Sequence, residues 1–313
     1  MKIVSTLPSA TEIVCALGLE DELVGVTHEC DYPPSVRSKP VVVKSVFDTS
    51  NMSPSQVDRL VSEYQRSGKP IYRVDLDLLS RLQPDVVVAQ DVCDVCAVSS
   101  SAVLDAIRKL ERRPEVVTLN PHTLEDVLSD ILRVGDATGR IGEARALVSS
   151  LEARIGSVRS EASKRRHTPS VACLEWFDPV YNAGHWLPQM VEYAGGREVL
   201  GFMGSPSRRV DWEKVLDADP EHLFLTVCGY DTQRTIRELP SLSSRRGWPM
   251  LKAVREGNVY AMNGSWYYSR PGPRLVDGLE ALAHFLNNYG NPPPQGVGVR
   301  LGSQQLLPKP LEI

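Results

Sequence analysis

The 313-residue sequence lacks several features that would place it in a familiar class of protein. No stretch approaches the run of about 20 apolar residues that a membrane-spanning helix requires, so we expect no membrane insertion. Lysine and arginine form no stripe and the net charge is only -4, which argues against nucleic acid as a partner. Six cysteines in a chain of this length are too few for a disulfide scaffold, and we expect thiols.

Motifs of several enzyme classes are also missing. There is no G-x-x-x-x-G-K-[ST] phosphate loop and no G-x-G-x-x-G after a predicted strand. No G-x-S-x-G turn presents a nucleophilic serine. The sequence therefore favours binding over catalysis, without deciding whether the protein is an enzyme.

The first residues do not resemble a secretion leader. Met1-Lys2 runs directly into Ile3–Leu7, a predicted strand, with neither an apolar signal core nor a cleavage site. We therefore expect a cytoplasmic protein. A periplasmic or extracellular location would require a leader that had been removed.

Short apolar runs alternate with helical spacing in two parts of the chain. The predicted strands are Ile3–Leu7, Leu23–Thr27, Val41–Val43, Ile71–Val74, Val86–Ala89 and Val116–Leu119, then Val171–Leu174, Leu223–Val227 and Val259–Met262. Such alternation is typical of parallel sheets with helices on both faces. Between the two parts, apolar residues recur at helical spacing from Ile141 to Val158, and the predicted helix would span roughly 35 Å at about 1.5 Å per residue.

We therefore predict two doubly wound α/β lobes joined by one long spanning helix. The N-terminal lobe would cover residues 1–139, the linker helix 140–167 and the C-terminal lobe 168–290. Residues 291–313 are rich in proline and glycine, and we expect an extended or disordered tail. A single helix as linker should permit only a small rocking of the lobes.

Cysteine and histidine occur where predicted strands end. His28-Glu29-Cys30-Asp31 and Cys93-Asp94-Val95-Cys96 each follow an apolar run, and Cys228 follows Val227 in the same way. Because the carboxyl ends of strands in a doubly wound domain open into one crevice, these residues should converge there. Thiolate and imidazole are ligands of zinc and iron, so one hypothesis is a zinc or iron site of His28, Cys30, Cys93, Cys96 and Cys228.

Two other interpretations of the cysteines stay open. A C-x-x-C pair at a helix start can serve thiol redox exchange, although Asp91 and Asp94 flank this pair and oppose a lowered thiol pKa. Cysteine is also a small hydrophobic residue that is often simply buried.

Several segments, in their order and spacing, resemble the helix-linked periplasmic binding proteins, the class with a rigid spanning helix that serves cobalamin, haem and siderophore importers. The segments are Leu7–Glu12, Asp31–Pro34, Leu79–Val87, Asp178–Trp186, Ala194–Gly196 and Trp266–Arg274. The match covers about residues 1 to 290, and the cobalamin-binding branch is nearest. The cysteine clusters and His28 are not part of the importer pattern, and Ser265 stands where members often have an acidic residue.

The resemblance implies a protein that binds a corrinoid or another metal chelate between its lobes, with an ABC permease as a candidate partner. In such proteins aromatic side chains and an arginine flank the ligand, and Tyr32, Phe47, Trp266 and Arg270 match those positions. From the residues themselves we add Trp176, which ends a strand and would offer a flat apolar wall, and His185.

Overall fold

In the part of the chain that the structure describes, two sheets of six strands each form the framework. The computed structural model describes residues 1–91, 100–290, 292–294 and 296–306, with side chains for all of these except 100–102. Each sheet carries helices, and one helix of 22 residues leads from the first lobe to the second. The predicted fold class, two α/β lobes joined by a long helix, is confirmed.

The N-terminal lobe contains the first sheet. Its strands are β1 (Ile3–Ser5), β2 (Leu23–Thr27), β3 (Val41–Ser45), β4 (Tyr72–Val74), β5 (Val86–Gln90) and β6 (Glu115–Leu119). Their spatial order is β4-β3-β2-β1-β5-β6, with β4 antiparallel to β3 and the other neighbours parallel. The helices are α1 (Pro8–Ala16), α2 (Pro54–Arg66), α3 (Leu76–Leu82), α4 (Ser100–Ile107) and α5 (Leu124–Ala137).

The linker is α6 (Ile141–Ala162), which is shorter than the predicted range 140–167. Its apolar positions are buried and belong to one apolar cluster that continues from the first lobe into the second; these positions are Ala144, Val148, Leu151, Ile155 and Val158. At about 1.5 Å per residue the helix is roughly 33 Å long. No helix of the described ranges is long and apolar enough to span a bilayer.

The C-terminal lobe contains the second sheet. Its strands are β7 (Ser170–Phe177), β8 (Val180–Asn182), β9 (Arg197–Glu198), β10 (His222–Leu225), β11 (Val259–Met262) and β12 (Gly298–Arg300). Their order is β12-β11-β10-β7-β8, with β9 beside β7. The helices are α7 (Leu187–Tyr193), α8 (Trp212–Ala218), α9 (Thr232–Glu238), α10 (Pro240–Ser243), α11 (Lys252–Arg255), α12 (Gly264–Tyr267), α13 (Leu275–Asn287) and α14 (Ser303–Leu306).

Part of the predicted tail is ordered structure. β12 pairs with β11, and α14 brings Leu306 into the core of the C-terminal lobe. The indole Nε1 of Trp248 donates to the Leu306 carbonyl at 2.9 Å. Leu301 and Leu306 are both buried, so apolar burial explains why this Pro/Gly-rich segment folds back onto the lobe instead of extending.

Candidate functional site

Residues that follow strands of the first lobe contact residues of the second lobe along a common boundary. Asp31 follows β2 and contacts Trp266, which follows β11. Pro54, beyond β3, accepts a hydrogen bond from Trp176 of β7 at 3.2 Å. We call this boundary, from the Asp31–Trp266 contact to the Pro54–Trp176 contact, the interlobe seam. Convergence of strand ends from both sheets is what the α/β alternation predicts.

Four charged side chains, three of them buried and Asp31 half-buried, form what we call the buried clasp across the interlobe seam. Glu12 and Asp31 come from the first lobe, and Arg270 and Arg274 from the second. Arg274 donates to both oxygens of Glu12, from Nε at 2.9 Å and from Nη2 at 2.5 Å. Arg270 Nη1 lies 2.5 Å from Asp31 Oδ1 and 3.3 Å from Glu12 Oε1. Each charge therefore has a partner in the opposite lobe, as buried charges require.

The clasp keeps Asp31 ionised. Burial raises the pKa of Asp31, but the hydrogen bond and the positive charge of Arg270 outweigh it and hold that pKa below its ordinary value. The indole Nε1 of Trp266 donates to the other oxygen of Asp31 at 2.8 Å. One carboxylate thus orients both an arginine and a tryptophan of the second lobe.

Aromatic rings surround the Arg274 guanidinium at one end of the interlobe seam. Its central carbon lies 4.1 Å from the centre of the Tyr32 ring, 5.3 Å from Trp266 and 5.4 Å from Tyr267. Tyr32 remains 44% exposed, so its ring has a free surface. Two predicted site residues, Tyr32 and Trp266, are therefore brought together, around a cation that the sequence reasoning missed.

Arg270 occupies a different position from the one its predicted role suggests. It is buried, and its guanidinium also donates to the Glu29 carbonyl at 3.1 Å and to Ser265 Oγ at 3.3 Å. Its hydrogen bonds are thus made within the protein. Ligand contact by Arg270 stays a prediction.

A second group of rings lies where Trp176 meets the first lobe. The rings of Trp176 and Tyr230 are 5.3 Å apart, and the Arg234 guanidinium lies 4.0 Å from the Tyr230 ring centre. Arg234 Nη2 donates to the Thr49 carbonyl of the first lobe at 2.8 Å. Phe47, two residues earlier, is half-buried and packs edge-on against Tyr64 of its own lobe at 5.2 Å.

Cys30 was predicted as a metal ligand, and this stays a prediction that its surroundings do not favour. It is 5% exposed, and its Sγ lies 3.1 Å from Thr11 Oγ1 and 3.3 Å from Thr27 Oγ1. Burial raises the pKa of the Cys30 thiol, which disfavours the thiolate that metals bind. Because the residue packs in the apolar core of the first lobe, its thiol is structural.

Of the other predicted metal ligands, the structure describes only His28 and Cys228, and these form no group of three potential metal ligands with Cys30. His28 is exposed, with Nδ1 3.3 Å from the Val43 carbonyl. Cys228 is half-buried beyond β10 in the second lobe, where its N–H donates to the Glu175 carbonyl at 3.1 Å. Cys93 and Cys96 lie outside the described residues. Within the described residues, no three His, Cys, Asp or Glu side chains are placed to hold a metal ion.

His185 of the second lobe, predicted to contact a ligand, meets a residue of the first lobe that was not anticipated. Its ring stacks against that of His122, with centres 5.7 Å apart. Burial, with a smaller contribution from His122, lowers the pKa of His185. The sequence analysis did not single out His122 as a site residue, since nothing in its local pattern shows which residue of the other lobe it meets.

The fold is that of a recognised class of protein. The chain belongs to the periplasmic binding protein family, whose family model matches residues 3–265. It is similar to an uncharacterized ABC transporter substrate-binding lipoprotein of Bacillus subtilis, with 27% identity over 289 residues that cover 90% of this chain and 78% of the relative. A vitamin B12-binding protein of Vibrio cholerae is 22% identical over 287 residues, covering 91% of this chain and 88% of that protein.

Solved structures show the same fold. The periplasmic heme-binding protein RhuT from Roseiflexus superposes with a TM-score of 0.69 at 21% identity, covering 92% of this chain and 98% of that one. The periplasmic vitamin B12 binding protein BtuF of Vibrio cholerae superposes with a TM-score of 0.66 at 21% identity, covering 92% and 96%. The predicted resemblance to helix-linked periplasmic binding proteins is confirmed.

The predicted cytoplasmic location is wrong. The matched family is that of periplasmic binding proteins, and the similar proteins are described as periplasmic or as a substrate-binding lipoprotein. The inference relied on the first residues of this sequence alone, which is a weak basis for a location. The predicted class of partners is confirmed for the family, because its relatives are substrate-binding proteins of ABC transporters.

Proposed function

We propose that this protein is the substrate-binding component of an ABC importer and that it holds a flat metal chelate, a corrinoid or a haem-type macrocycle, between its lobes. The observation that carries the proposal is the placement of aromatic rings from both lobes at the interlobe seam. Tyr32 comes from the first lobe, and Trp176 and Trp266 come from the second.

Flat aromatic surfaces suit a flat ligand. Rings of this size contribute large apolar contact areas at little conformational cost, and binding sites for small molecules are mostly apolar with a few placed polar groups. Arg234, half-buried and stacked on the Tyr230 ring, would supply such a group. Guanidinium groups match the carboxylate or amide edges that such macrocycles carry.

The relatives point in the same direction. Similar chains include proteins named for vitamin B12 binding and, among the solved structures, proteins named for heme binding. A protein of Staphylococcus epidermidis described as a possible iron-binding, periplasmic solute-binding protein is also among the solved structures, with a TM-score of 0.67. Vitamin B12 and heme share one chemistry, a metal held in a flat organic macrocycle, and this is the ligand class that we propose.

The alternative function, a zinc, iron or thiol-redox centre built on cysteine, gains no support. Cys30 is buried among threonine hydroxyls, and the described residues contain no cluster for a metal with three or more such ligands. We therefore retain one proposed function.

The test is titration of the purified protein with cyanocobalamin and with hemin. Binding is monitored by tryptophan fluorescence and by the visible absorption bands of each ligand. We expect saturable binding of one of them at a single site. Replacing the exposed ring in Tyr32→Ala should weaken binding by about tenfold or more, as the loss of roughly 1–3 kcal/mol of contact predicts.

Tyr289→Ala is the matched control, since Tyr289 lies just beyond the carboxyl end of α13, away from the contacts that define the interlobe seam. Its binding constant should equal that of the unaltered protein. If neither ligand binds at millimolar concentration, or if Tyr32→Ala and Tyr289→Ala behave alike, the proposal fails.

A further inference from the structure

Glu29 lies in the turn that leads from β2 to the interlobe seam. Its N–H donates to Thr27 Oγ1 at 3.2 Å, and its carbonyl accepts from Arg270 Nη2 of the second lobe at 3.1 Å. Asp31, two residues further on, is bonded to the same arginine, and Tyr32 follows it. The backbone of Glu29 is thus held at the end of the interlobe seam where Tyr32 lies.

The side chains of this turn divide between the core and the surface. Cys30 packs in the apolar core, with its Sγ 3.3 Å from Thr27 Oγ1. The neighbouring Glu29 is exposed. Among the residues that the structure describes, the Glu29 carboxylate forms no hydrogen bond and no ion pair. Its oxygen atoms therefore remain available to a molecule that enters the interlobe seam.

The surroundings of the Glu29 carboxyl group indicate that the surface there is concave. Burial raises the pKa of Glu29. The charges of His28 and Arg270 act in the opposite direction, and the charge of Asp31 adds to the rise. An exposed residue whose carboxyl group is nevertheless shielded from bulk water lines a recess instead of projecting from the surface. Ligands bind in recesses of this kind.

The carboxylate of Glu29 is additional to those that neutralise the buried clasp. The two arginines of the clasp are matched by the carboxylates of Glu12 and Asp31, at N–O distances of 2.5 and 3.3 Å for Arg270 and 2.5 Å for Arg274. The clasp is therefore neutral as a unit. Glu29 adds a further carboxylate at the Tyr32 end of the interlobe seam.

A carboxyl group distinguishes between two kinds of ligand edge. An ionised carboxylate only accepts hydrogen bonds, which suits the N–H groups of a primary amide, and the protonated form can also donate to the amide oxygen. A ligand carboxylate offers no hydrogen to accept, and its charge is repelled by that of an ionised carboxylate.

We propose that Glu29 selects, among flat metal chelates, those whose edge carries uncharged amide groups and disfavours those whose edge carries carboxylates. This inference rests on the proposed function and separates the two ligand classes that the proposed function includes. Corrinoids carry amide side chains, whereas haems carry carboxylates. The guanidinium of Arg234, at the other end of the interlobe seam, suits either edge, so the discrimination is assigned to Glu29.

The test compares cyanocobalamin with its b-, d- and e-monocarboxylic acids, in each of which one amide is replaced by a carboxylate. Titrations monitored by tryptophan fluorescence give the dissociation constants. We expect at least one of the acids to bind the unaltered protein roughly fivefold more weakly than cyanocobalamin, as the interaction of partly exposed charges predicts. Glu29→Gln should remove most of this difference, because it removes the charge and keeps the shape of the side chain.

Hemin provides a second comparison. It should bind the unaltered protein more weakly than cyanocobalamin does, and Glu29→Gln should narrow the gap between the two dissociation constants. Circular dichroism checks that the variant is folded, which the exposure of Glu29 favours.

Glu22→Gln is the matched control. Glu22 comes just before β2, so the five residues of that strand, about 17 Å at roughly 3.3 Å per residue, separate it from the turn of Glu29. This variant should discriminate between the ligands as the unaltered protein does.

The inference is overturned, while the proposed function stands, by any of three results. Hemin may bind the unaltered protein at least as tightly as cyanocobalamin, all three acids may bind like cyanocobalamin, or the discrimination may be the same in Glu29→Gln and Glu22→Gln. If neither cyanocobalamin nor hemin binds, the proposed function fails and the inference fails with it.

Discussion

At the scale of single residues, Asp130 shows how burial sets the charge of a side chain. It lies in α5 with its side chain 3% exposed, one oxygen 3.0 Å from Arg133 and the other buried without a hydrogen-bond partner. Burial raises the pKa of Asp130 to about 6. The ionised form is therefore disfavoured in the folded protein.

A raised carboxyl pKa makes stability depend on pH with a definite sign. The folded protein holds this proton more tightly than the unfolded chain does, so the stabilising contribution is complete below the unfolded pKa and is lost as pH rises through about 6. We expect Asp130→Asn to raise the free energy of unfolding by about 1–2 kcal/mol near pH 8 and to change it little near pH 4.

Urea unfolding across this pH range measures the effect. Asp136→Asn, on an exposed position of the same helix, is the control and should give no pH-dependent gain. An equal gain for Asp130→Asn near pH 4 and near pH 8 would show that its ionisation is not the cause.

The buried clasp is the second residue-scale feature, and Glu12 is its centre, since its carboxylate accepts from both arginines. Glu12→Gln leaves two buried guanidinium groups short of a negative partner. We expect a loss of about 3 kcal/mol in the free energy of unfolding, because removing one member of a buried ion pair leaves charge uncompensated.

Arg108→Gln provides the comparison for Glu12→Gln. The Arg108–Asp105 pair lies on the surface, with both side chains about two-thirds exposed, and its removal should cost less than about 0.5 kcal/mol. Denaturant unfolding of both variants gives the difference. Similar losses for the two would mean that the clasp contributes no more than a surface pair.

At the scale of elements, the position of α13 depends on a glycine. A Cβ at Gly278 would lie 2.4 Å from the Tyr267 carbonyl oxygen. The helix therefore approaches the segment that carries Trp266 more closely than a residue with a side chain at position 278 would allow. We expect Gly278→Ala to lower the free energy of unfolding by about 1–3 kcal/mol, as overpacking does. It should also weaken ligand binding, because Tyr267 and Trp266 are displaced together.

Gly156 supplies the matched control within a helix. It lies in α6, and a Cβ there would meet nothing within 4 Å. Gly156→Ala should therefore stabilise the protein by about 0.5–1 kcal/mol. Thermal unfolding and ligand titration compare the two variants; a Gly278→Ala protein as stable as Gly156→Ala would disprove the close approach.

At the scale of the whole molecule, the lobes are held together by other contacts besides the linker helix α6. A single apolar cluster runs from the first lobe through α5 and α6 to α7 and α13. Arg154 of α6 donates to Asp277 and Glu280 of α13, both at 2.6 Å. The clasp and the bonds from Trp176 and Arg234 cross the interlobe seam as well.

We therefore expect ligand binding to rotate the lobes only slightly. Opening by a wide hinge would break the apolar cluster and the clasp together. The free energy of ligand binding would have to exceed the free energy lost with these contacts. Small-angle X-ray scattering of the ligand-free and ligand-bound protein should give nearly the same radius of gyration. A large change in lobe orientation between the two states would contradict this expectation.

The sequence predicted the elements well because strands and helices are specified locally. Each of the nine strands proposed from apolar runs overlaps an observed strand, and the periodic residues from Ile141 to Val158 form the linker helix. Short strands such as β8 and β9 were missed, since two or three residues carry little periodicity. Tyr32 and Trp266 were predicted from the family resemblance and Trp176 from its place at a strand end. All three lie at the interlobe seam, and their contact with a ligand stays a prediction.

What the sequence by itself determined is the alternation of apolar runs, the long helix between two α/β lobes and the family motifs, because these depend on neighbours along the chain. Only the tertiary structure decided that Cys30 is a core thiol, that Glu12 and Arg274 form a buried clasp, and that His122 meets His185. Those partners lie tens to hundreds of residues apart in the sequence. The role of each side chain depends on its burial and on the charged group or ring that it contacts, and a local sequence pattern specifies neither.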